Sequence, residues 1–191
     1  MNICVYGASS NDIRREYIET VETLGREMAR RGHTLVFGGG AQGLMGAVVR
    51  GVTEGGGKSV GVAPTFFQVD GVLFDKCTEF IPTETMRQRK EIMEQRAEAF
   101  VMTPGGIGTF EEFFEILTLK QLGRHNKPIA VLNLCGYFDP MIEMLRNTVS
   151  DGFMREACLH LFGVFARPEE LLDYLESYDE NALDVRHLKN I

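Results

Sequence analysis

Ala99-Phe100-Val101-Met102-Thr103-Pro104-Gly105-Gly106-Ile107-Gly108-Thr109-Phe110-Glu111-Glu112 passes from an apolar run, through a glycine loop, into a helical pattern. The first four residues read as a buried strand. The following segment, Thr109–Leu122, carries Phe110, Phe113, Phe114, Ile116, Leu117, Leu119 and Leu122, so it predicts a helix that is apolar nearly all round. Strand, glycine turn and helix in succession form half of a βαβ unit, whose strands pair in parallel. The same order recurs on both sides. Asn2–Tyr6 is a β-prone run, followed by Ile13, Tyr17, Val21, Leu24 and Met28 at steps of three or four, which stop at Gly32. Thr34–Phe37 runs into Gly38-Gly39-Gly40 and a helix of small residues over Gly43–Glu54, and Lys58–Val62 is a third strand.

Further on, Thr78–Pro82, Ala99–Met102, Pro128–Leu132 and Leu161–Phe165 read as strands, with helices over Met86–Ala97, Pro140–Ser150 and Pro168–Tyr178. Pro168 suits a first helical turn, where its missing N–H costs nothing. Ala63–Phe74 has no period but holds Phe66, Phe67, Val72, Leu73 and Phe74, and is expected as a loop or flap that a partner subunit can bury. Strands alternating with helices predict an α/β fold, a doubly wound parallel sheet covered on both faces, with right-handed crossovers. Residues 1–178 are expected as one domain and 179–191 as a polar tail. A sheet of this kind holds its ligand at the carboxyl ends of its strands, where the glycine clusters fall.

Composition narrows the partners. The 20 Lys and Arg against 27 Asp and Glu leave a net charge of −7, which argues against nucleic acid or an anionic membrane while leaving room for one small anion. An apolar share of 44% with 25% charged residues excludes a disordered chain. No apolar run approaches the roughly 18 residues needed to cross a bilayer. Met1–Gly7 enters a strand without a basic flank, unlike a signal peptide. Cys4, Cys77, Cys135 and Cys158 are scattered and form no CxxC pair, which predicts reduced, mostly buried thiols in a cytoplasmic protein. His33, His125, His160 and His187 show no metal-site spacing either, so no metal is expected.

Two glycine loops are candidate cradles. Gly38-Gly39-Gly40-Ala41-Gln42-Gly43 satisfies G-x-G-x-x-G between strand and helix. It follows the second strand, and Val60-Gly61-Val62-Ala63-Pro64 offers no acidic residue to a ribose hydroxyl, so a dinucleotide is disfavoured. The alternative is a tight turn with close helix–sheet packing through Gly43 and Gly46. In Pro104–Thr109, successive backbone N–H groups and a helix N-terminus face one point, which is the geometry of a phosphate site. No Lys follows the glycines, against a Walker loop. The alternative is again a turn, with Thr109 as N-cap and Glu112 at N3 closing a capping box.

Charge then singles out two residues. Glu112 is a carboxylate on a helix that is apolar nearly all round, beside the second loop, which suggests chemistry on a ligand. Met86, Arg89 and Met93 fall at i, i+3 and i+7, placing Arg89 on the inward stripe, where it needs an anion, either a ligand or a structural carboxylate. Arg87 and Glu91 fall on the solvated face, and Lys90 faces either solvent or ligand.

Met86-Arg87-Gln88-Arg89-Lys90 together with Pro104-Gly105-Gly106-Ile107-Gly108-Thr109-Phe110-Glu111-Glu112 resembles the paired signature of the LOG (Lonely Guy) family. Its members are cytokinin riboside 5′-monophosphate phosphoribohydrolases, often mislabelled as lysine decarboxylases. Gly38–Gly46, Gln121–Pro128 and Leu132–Asp139 agree, so the resemblance runs from Asn2 to about Tyr178. It implies a Rossmann-like, three-layer α/β/α homodimer that hydrolyses the N-glycosidic bond of cytokinin riboside 5′-monophosphates or AMP, without organic cofactor or metal. It further implies that Gly105, Gly106, Ile107, Gly108, Thr109, Phe110, Glu111 and Glu112 form the loop that holds the phosphate. Arg89 and Glu112 would be the catalytic pair, and Lys90 and Thr118 further substrate contacts. Breaking an N-ribosidic bond passes through an oxocarbenium-like state, which a carboxylate stabilises while it positions water.

Two segments depart from the family's pattern: Ala8 replaces a common glycine, and Ala63–Phe74, expected to face the base, follows another sequence. A chain of this length without a His-Lys pair of the Schiff-base kind makes a poor pyridoxal phosphate enzyme. The competing class is a non-catalytic binder, since molybdenum-cofactor carriers of similar fold use similar loops. Arg89 with Glu112 favours the enzyme, because an anion carrier has little use for a carboxylate at its anion.

Overall fold

Alternation along each strand decides the layers. In the computed structural model, which describes residues 1–67, 69 and 71–180, seven parallel strands form one sheet. They are β1 (Asn2–Tyr6), β2 (Thr34–Phe37), β3 (Lys58–Pro64), β4 (Glu79–Thr83), β5 (Ala99–Met102), β6 (Ile129–Leu132) and β7 (Gly163–Phe165). Ile3, Val5, Leu35, Phe37, Ala99 and Val101 point to one face; Cys4, Tyr6, Val36, Phe100 and Met102 point to the other. The first set packs under α1 (Arg15–Arg30), α2 (Gly43–Glu54) and α6 (Pro168–Ser177). The second packs under α3 (Met86–Arg96), α4 (Ile107–Gln121) and α5 (Asp139–Ser150). Both faces are therefore buried, and three layers result, as the sequence predicts.

The strand order is β4-β3-β2-β1-β5-β6-β7. The chain winds outward from β1 to β4, then returns to place β5 on the other side of β1. The loops after β1 and β5 diverge in opposite directions and open a crevice at their carboxyl ends.

Some expectations change. The small residues of α2 serve its neighbour helix more than the sheet: a Cβ on Gly51 would overlap the Glu22 carbonyl, and one on Gly25 the Val48 carbonyl. Gly43 and Gly46 instead sit against the carbonyls of Ala8 and Ala41, which belong to loops. The segment after β3 continues as a single turn (Thr65–Phe67) and then comes back over the first glycine loop. There the Ala41 N–H donates to the Val72 carbonyl at 2.9 Å, the Phe74 N–H donates to the Gly39 carbonyl at 2.8 Å, and Gly40 bridges Leu73 in antiparallel sense. The flap is thus stitched to its own subunit, while Phe66 and Val69 at its tip stay exposed.

All four cysteines are free thiols, with Cys4 and Cys158 buried, Cys77 half-buried and Cys135 exposed, so fewer are buried than expected. No helix among the described residues is long and apolar enough to cross a membrane. Of the expected tail over 179–191, only Asp179 and Glu180 fall within the described residues.

Candidate active site

A cleft of about 610 Å³ occupies the crevice between β1 and β5. Gly7, Ala8 and Ser9 after β1 form its floor, with Gly106–Thr109 after β5 on one side. Gly38, Gly40, Gln42 and Met45 lie on the other side, roofed by Phe67, Val72 and Leu73 of the flap. Met86, Arg89 and Glu112 complete the lining.

The two glycine loops now separate. At the start of α2 the Gly43 N–H donates to Asn11 Oδ1 at 2.8 Å, and the Leu44 N–H to the Ala8 carbonyl at 2.8 Å. The Met45 N–H reaches the same carbonyl at 3.3 Å. That helix end has spent its donors inside the protein, so the amides at the start of α2 do not form a second cradle. At α4 the first intrahelical bond runs from the Phe110 N–H to the Gly106 carbonyl at 3.1 Å. The N–H groups of Ile107, Gly108 and Thr109 have no protein acceptor among the described residues, and all three residues line the cleft. Free amides at the positive end of a helix, open to the cleft, suit an anion.

The capping box expected at this point does not form. Helix α4 begins at Ile107 with Gly106 as its cap, which makes Thr109 its third residue and puts Glu112 beyond the first turn. Thr109 is buried with its hydroxyl against the Gly105 backbone. Glu112 turns instead toward α3, where Arg89 Nη1 donates to Glu112 Oε1 at 2.6 Å. Both are nearly buried, at 6% and 9% exposure, yet both line the cleft. Among the described residues the one hydrogen bond of the Glu112 carboxylate is that to Arg89 through Oε1.

Burial pushes the Glu112 carboxyl above its ordinary value of 4.5, with the Arg89 guanidinium opposing the shift. In the sheet beneath, burial raises the Cys4 thiol to about 12 and holds the Tyr6 phenol well above its usual range. The floor under the pair therefore stays neutral. Gly38 makes the pair possible, because a Cβ there would overlap Arg89 Nη2. Gly38→Ala is expected to displace the guanidinium and cut turnover by about 100-fold, the usual cost of a misplaced group. Thermal melting compared with steady-state rates checks this, and a variant with wild-type turnover would show that the guanidinium has room to spare.

The remaining expected contacts divide. Gly105 lies under Thr109, outside the lining, and Phe110 packs edge-on against Phe138. Lys90 pairs with Glu111 and, at 3.0 Å, with Glu115, so Lys90 and Glu111 hold one another on the outer face of α3 and α4. Thr118 is exposed on α4 and does not line the cleft. Met86 belongs to the expected inward stripe but is 42% exposed, because the first turn of α3 overhangs the cleft mouth. Met45 and the Gly7–Ser9 floor also line the cleft, and neither was expected there from the sequence. Only the last left a signal, a glycine at the carboxyl end of the strand beside the switch point. Among the described residues no three His, Cys, Asp or Glu side chains converge on a metal-sized position.

Fold and cleft define a Rossmann-like α/β protein with a cleft at its topological switch point, lined by the free amides of α4. Similar folds confirm the architecture. The molybdenum cofactor carrier protein of Chlamydomonas reinhardtii superposes with a TM-score of 0.67 at 23% identity, over 93% of this chain and 98% of that one. The molybdenum cofactor binding protein of Rippkaea orientalis does so with a TM-score of 0.67 at 18% identity, over 92% and 94%. Sequence relatives identify the family. A family model described as "Possible lysine decarboxylase" matches residues 45–175. A protein of Oryza sativa named probable cytokinin riboside 5'-monophosphate phosphoribohydrolase LOGL2 is 36% identical over 176 residues, 92% of this chain and 72% of its own. The Arabidopsis thaliana cytokinin riboside 5'-monophosphate phosphoribohydrolase LOG2 is 35% identical over 92% of this chain and 83% of its own. This chain belongs to the LOG family. Among the described residues that line the cleft there is no lysine.

Proposed function

We propose that the chain hydrolyses the N-glycosidic bond of cytokinin riboside 5′-monophosphates or AMP, releasing the free base and ribose 5-phosphate. The observation that carries this is the juxtaposition of unpaired α4 amides with the buried Arg89–Glu112 pair in one cleft. Gly106–Thr109 bind the phosphate, with the Thr109 side chain beside them. The ribose then lies over Glu112, and the base reaches toward Met45, Phe67, Val72 and Leu73, an apolar wall with Gln42 as its polar group.

In the reaction, the bond between C1′ and the base nitrogen breaks and its electron pair leaves with the base. Glu112, as a carboxylate, faces the cationic ribose and guides the water that adds to C1′. Arg89 holds that carboxylate and offsets charge on the departing base. The water supplies the hydroxyl of ribose 5-phosphate and the proton of the free base, so the reaction needs no other reactant. Assembly as a homodimer belongs to the same reading and is supported by the exposed Phe66 and Val69 at the flap tip. Light scattering that finds a monomer would remove it.

Incubation with AMP and with isopentenyl-AMP, followed by chromatography of released base, tests the reaction. Release from either supports it. Absence of base from both, together with tight binding of a pterin cofactor, would place the chain among the carriers.

The raised Glu112 pKa gives a pH test with two opposite signs. Activity requires the ionised carboxylate, so kcat/KM is expected to fall with acidification through a pKa above 4.5. Stability moves the other way for this group. A carboxyl whose folded pKa lies above its unfolded one contributes stability while protonated and loses it as pH rises through the folded value. Acidification across that window therefore lowers the rate while Glu112's own contribution to stability grows. A pH–rate profile with its acid limb at or below 4.5 would contradict this assignment.

A further inference from the structure

Beside the cradle, outside the cleft lining, the Tyr137 hydroxyl donates to the Gly105 carbonyl at 2.7 Å. We infer that Tyr137 is a positioning residue for the anion cradle, its hydroxyl fixing the peptide whose N–H faces the ligand. The inference rests on the phosphate-binding half of the reading above.

The geometry is that of one planar unit. The Gly105 carbonyl and the Gly106 N–H belong to the same trans peptide and point in opposite directions. Tyr137 draws the carbonyl away from the cleft, so the Gly106 N–H turns toward it, beside the free amides of Ile107, Gly108 and Thr109. The preceding peptide is fixed in the same manner, since the Ala8 N–H donates to the Pro104 carbonyl at 3.0 Å. With glycine on both sides, the peptide between Gly105 and Gly106 has no Cβ to resist a flip. A flipped peptide would aim a carbonyl at the anion. The phenol hydroxyl is the contact that opposes it.

Tyr137 is itself braced from α1 and from its own loop. Its ring meets Tyr17 edge-on at 6.2 Å and Phe138 at 4.9 Å, and Arg14 donates to the Tyr17 hydroxyl. The chain reaches this position through Cys135 at φ 52° and Gly136 at φ 71°, a pair of left-handed residues that reverse it after β6. The turn is held by the Cys135 thiol donating to Glu16 Oε1 at 3.2 Å and by the Phe138 N–H donating to Asn133 Oδ1 at 2.7 Å. None of these groups enters the cleft, so what Tyr137 contributes to it passes through Gly105.

The test compares the intact chain with Tyr137→Phe, which keeps the ring and removes the hydroxyl. Ribose 5-phosphate is titrated by calorimetry, and the Gly106 amide is followed by NMR during the titration. Binding is expected to weaken about tenfold, the worth of a hydrogen bond aimed at a charged ligand's site. The ligand-induced shift of the Gly106 amide should shrink with it, while the melting temperature moves by no more than about 2 °C. In turnover the loss should fall on KM, with kcat near wild type. Equal affinity and an equal Gly106 shift in the two proteins would overturn the inference, as would a wild-type chain that does not bind ribose 5-phosphate. A wild-type chain that binds it but releases no base would instead refute the hydrolase reading, with the Tyr137 comparison still read from binding.

Discussion

Glu112→Gln is expected to lower the rate of base release by about 1,000-fold or more, while ribose 5-phosphate binds nearly as before. Glutamine has the same shape, and its amide oxygen can still accept from Arg89, which donates to Oε1 at 2.6 Å in the native chain. The fold and the cradle should therefore survive. What disappears is the negative charge facing the ribose as C1′ becomes cationic, and the group that directs water to it. Base release measured under single-turnover conditions, beside calorimetry with ribose 5-phosphate, separates the two effects. Unchanged turnover in this variant would reduce Glu112 to a structural partner of Arg89.

Arg89→Met is expected to cost both activity and stability. The substitution strands a carboxyl group that is 9% exposed and already pushed toward its neutral form by burial. Removing one partner of a buried ion pair typically costs about 3 kcal/mol or more, which for a chain of this size corresponds to roughly 6–12 °C in melting temperature. The stranded Glu112 should then titrate at still higher pH, so turnover falls for two reasons. The double variant Arg89→Met with Glu112→Gln is informative because neither charge remains. It should regain part of the lost stability and none of the activity, a coupling that a double-mutant cycle reads directly. A single Arg89 variant as stable as wild type would mean that the pair is not a stabilising contact.

Most of the fold was legible because each strand is short, apolar and punctuated by glycine or proline, and because the helices between them keep their period. Boundaries mattered where two rules competed. Thr109 is a good N-cap and Glu112 a good N3 residue, yet α4 starts at Ile107 with the extended Gly106 as its cap, so the helix begins two residues before the expected cap. Arg89 was placed inward by its spacing from Met93, and it is inward. Met86 obeys the same spacing but overhangs the cleft, because a helical wheel carries no information about where the neighbouring layer ends. Lys90 and Glu111 are each one residue from a catalytic candidate, and that single step rotates them onto the outer face, where they pair. The first glycine loop met the dinucleotide pattern, but only the position of the Ala8 carbonyl reveals that its helix amides are already used.

The bridge between Gly40 and Leu73 has a consequence for how such a protein can change. The roof over the base-facing wall is a detour between two adjacent strands, β3 and β4, and it is anchored by backbone atoms whose geometry does not depend on its side chains. The phosphate cradle lies across the switch point, on a different stretch of chain. Exchanging the roof for that of a relative therefore leaves the α4 loop and the Arg89–Glu112 pair in place, so the two sides of the cleft can vary separately.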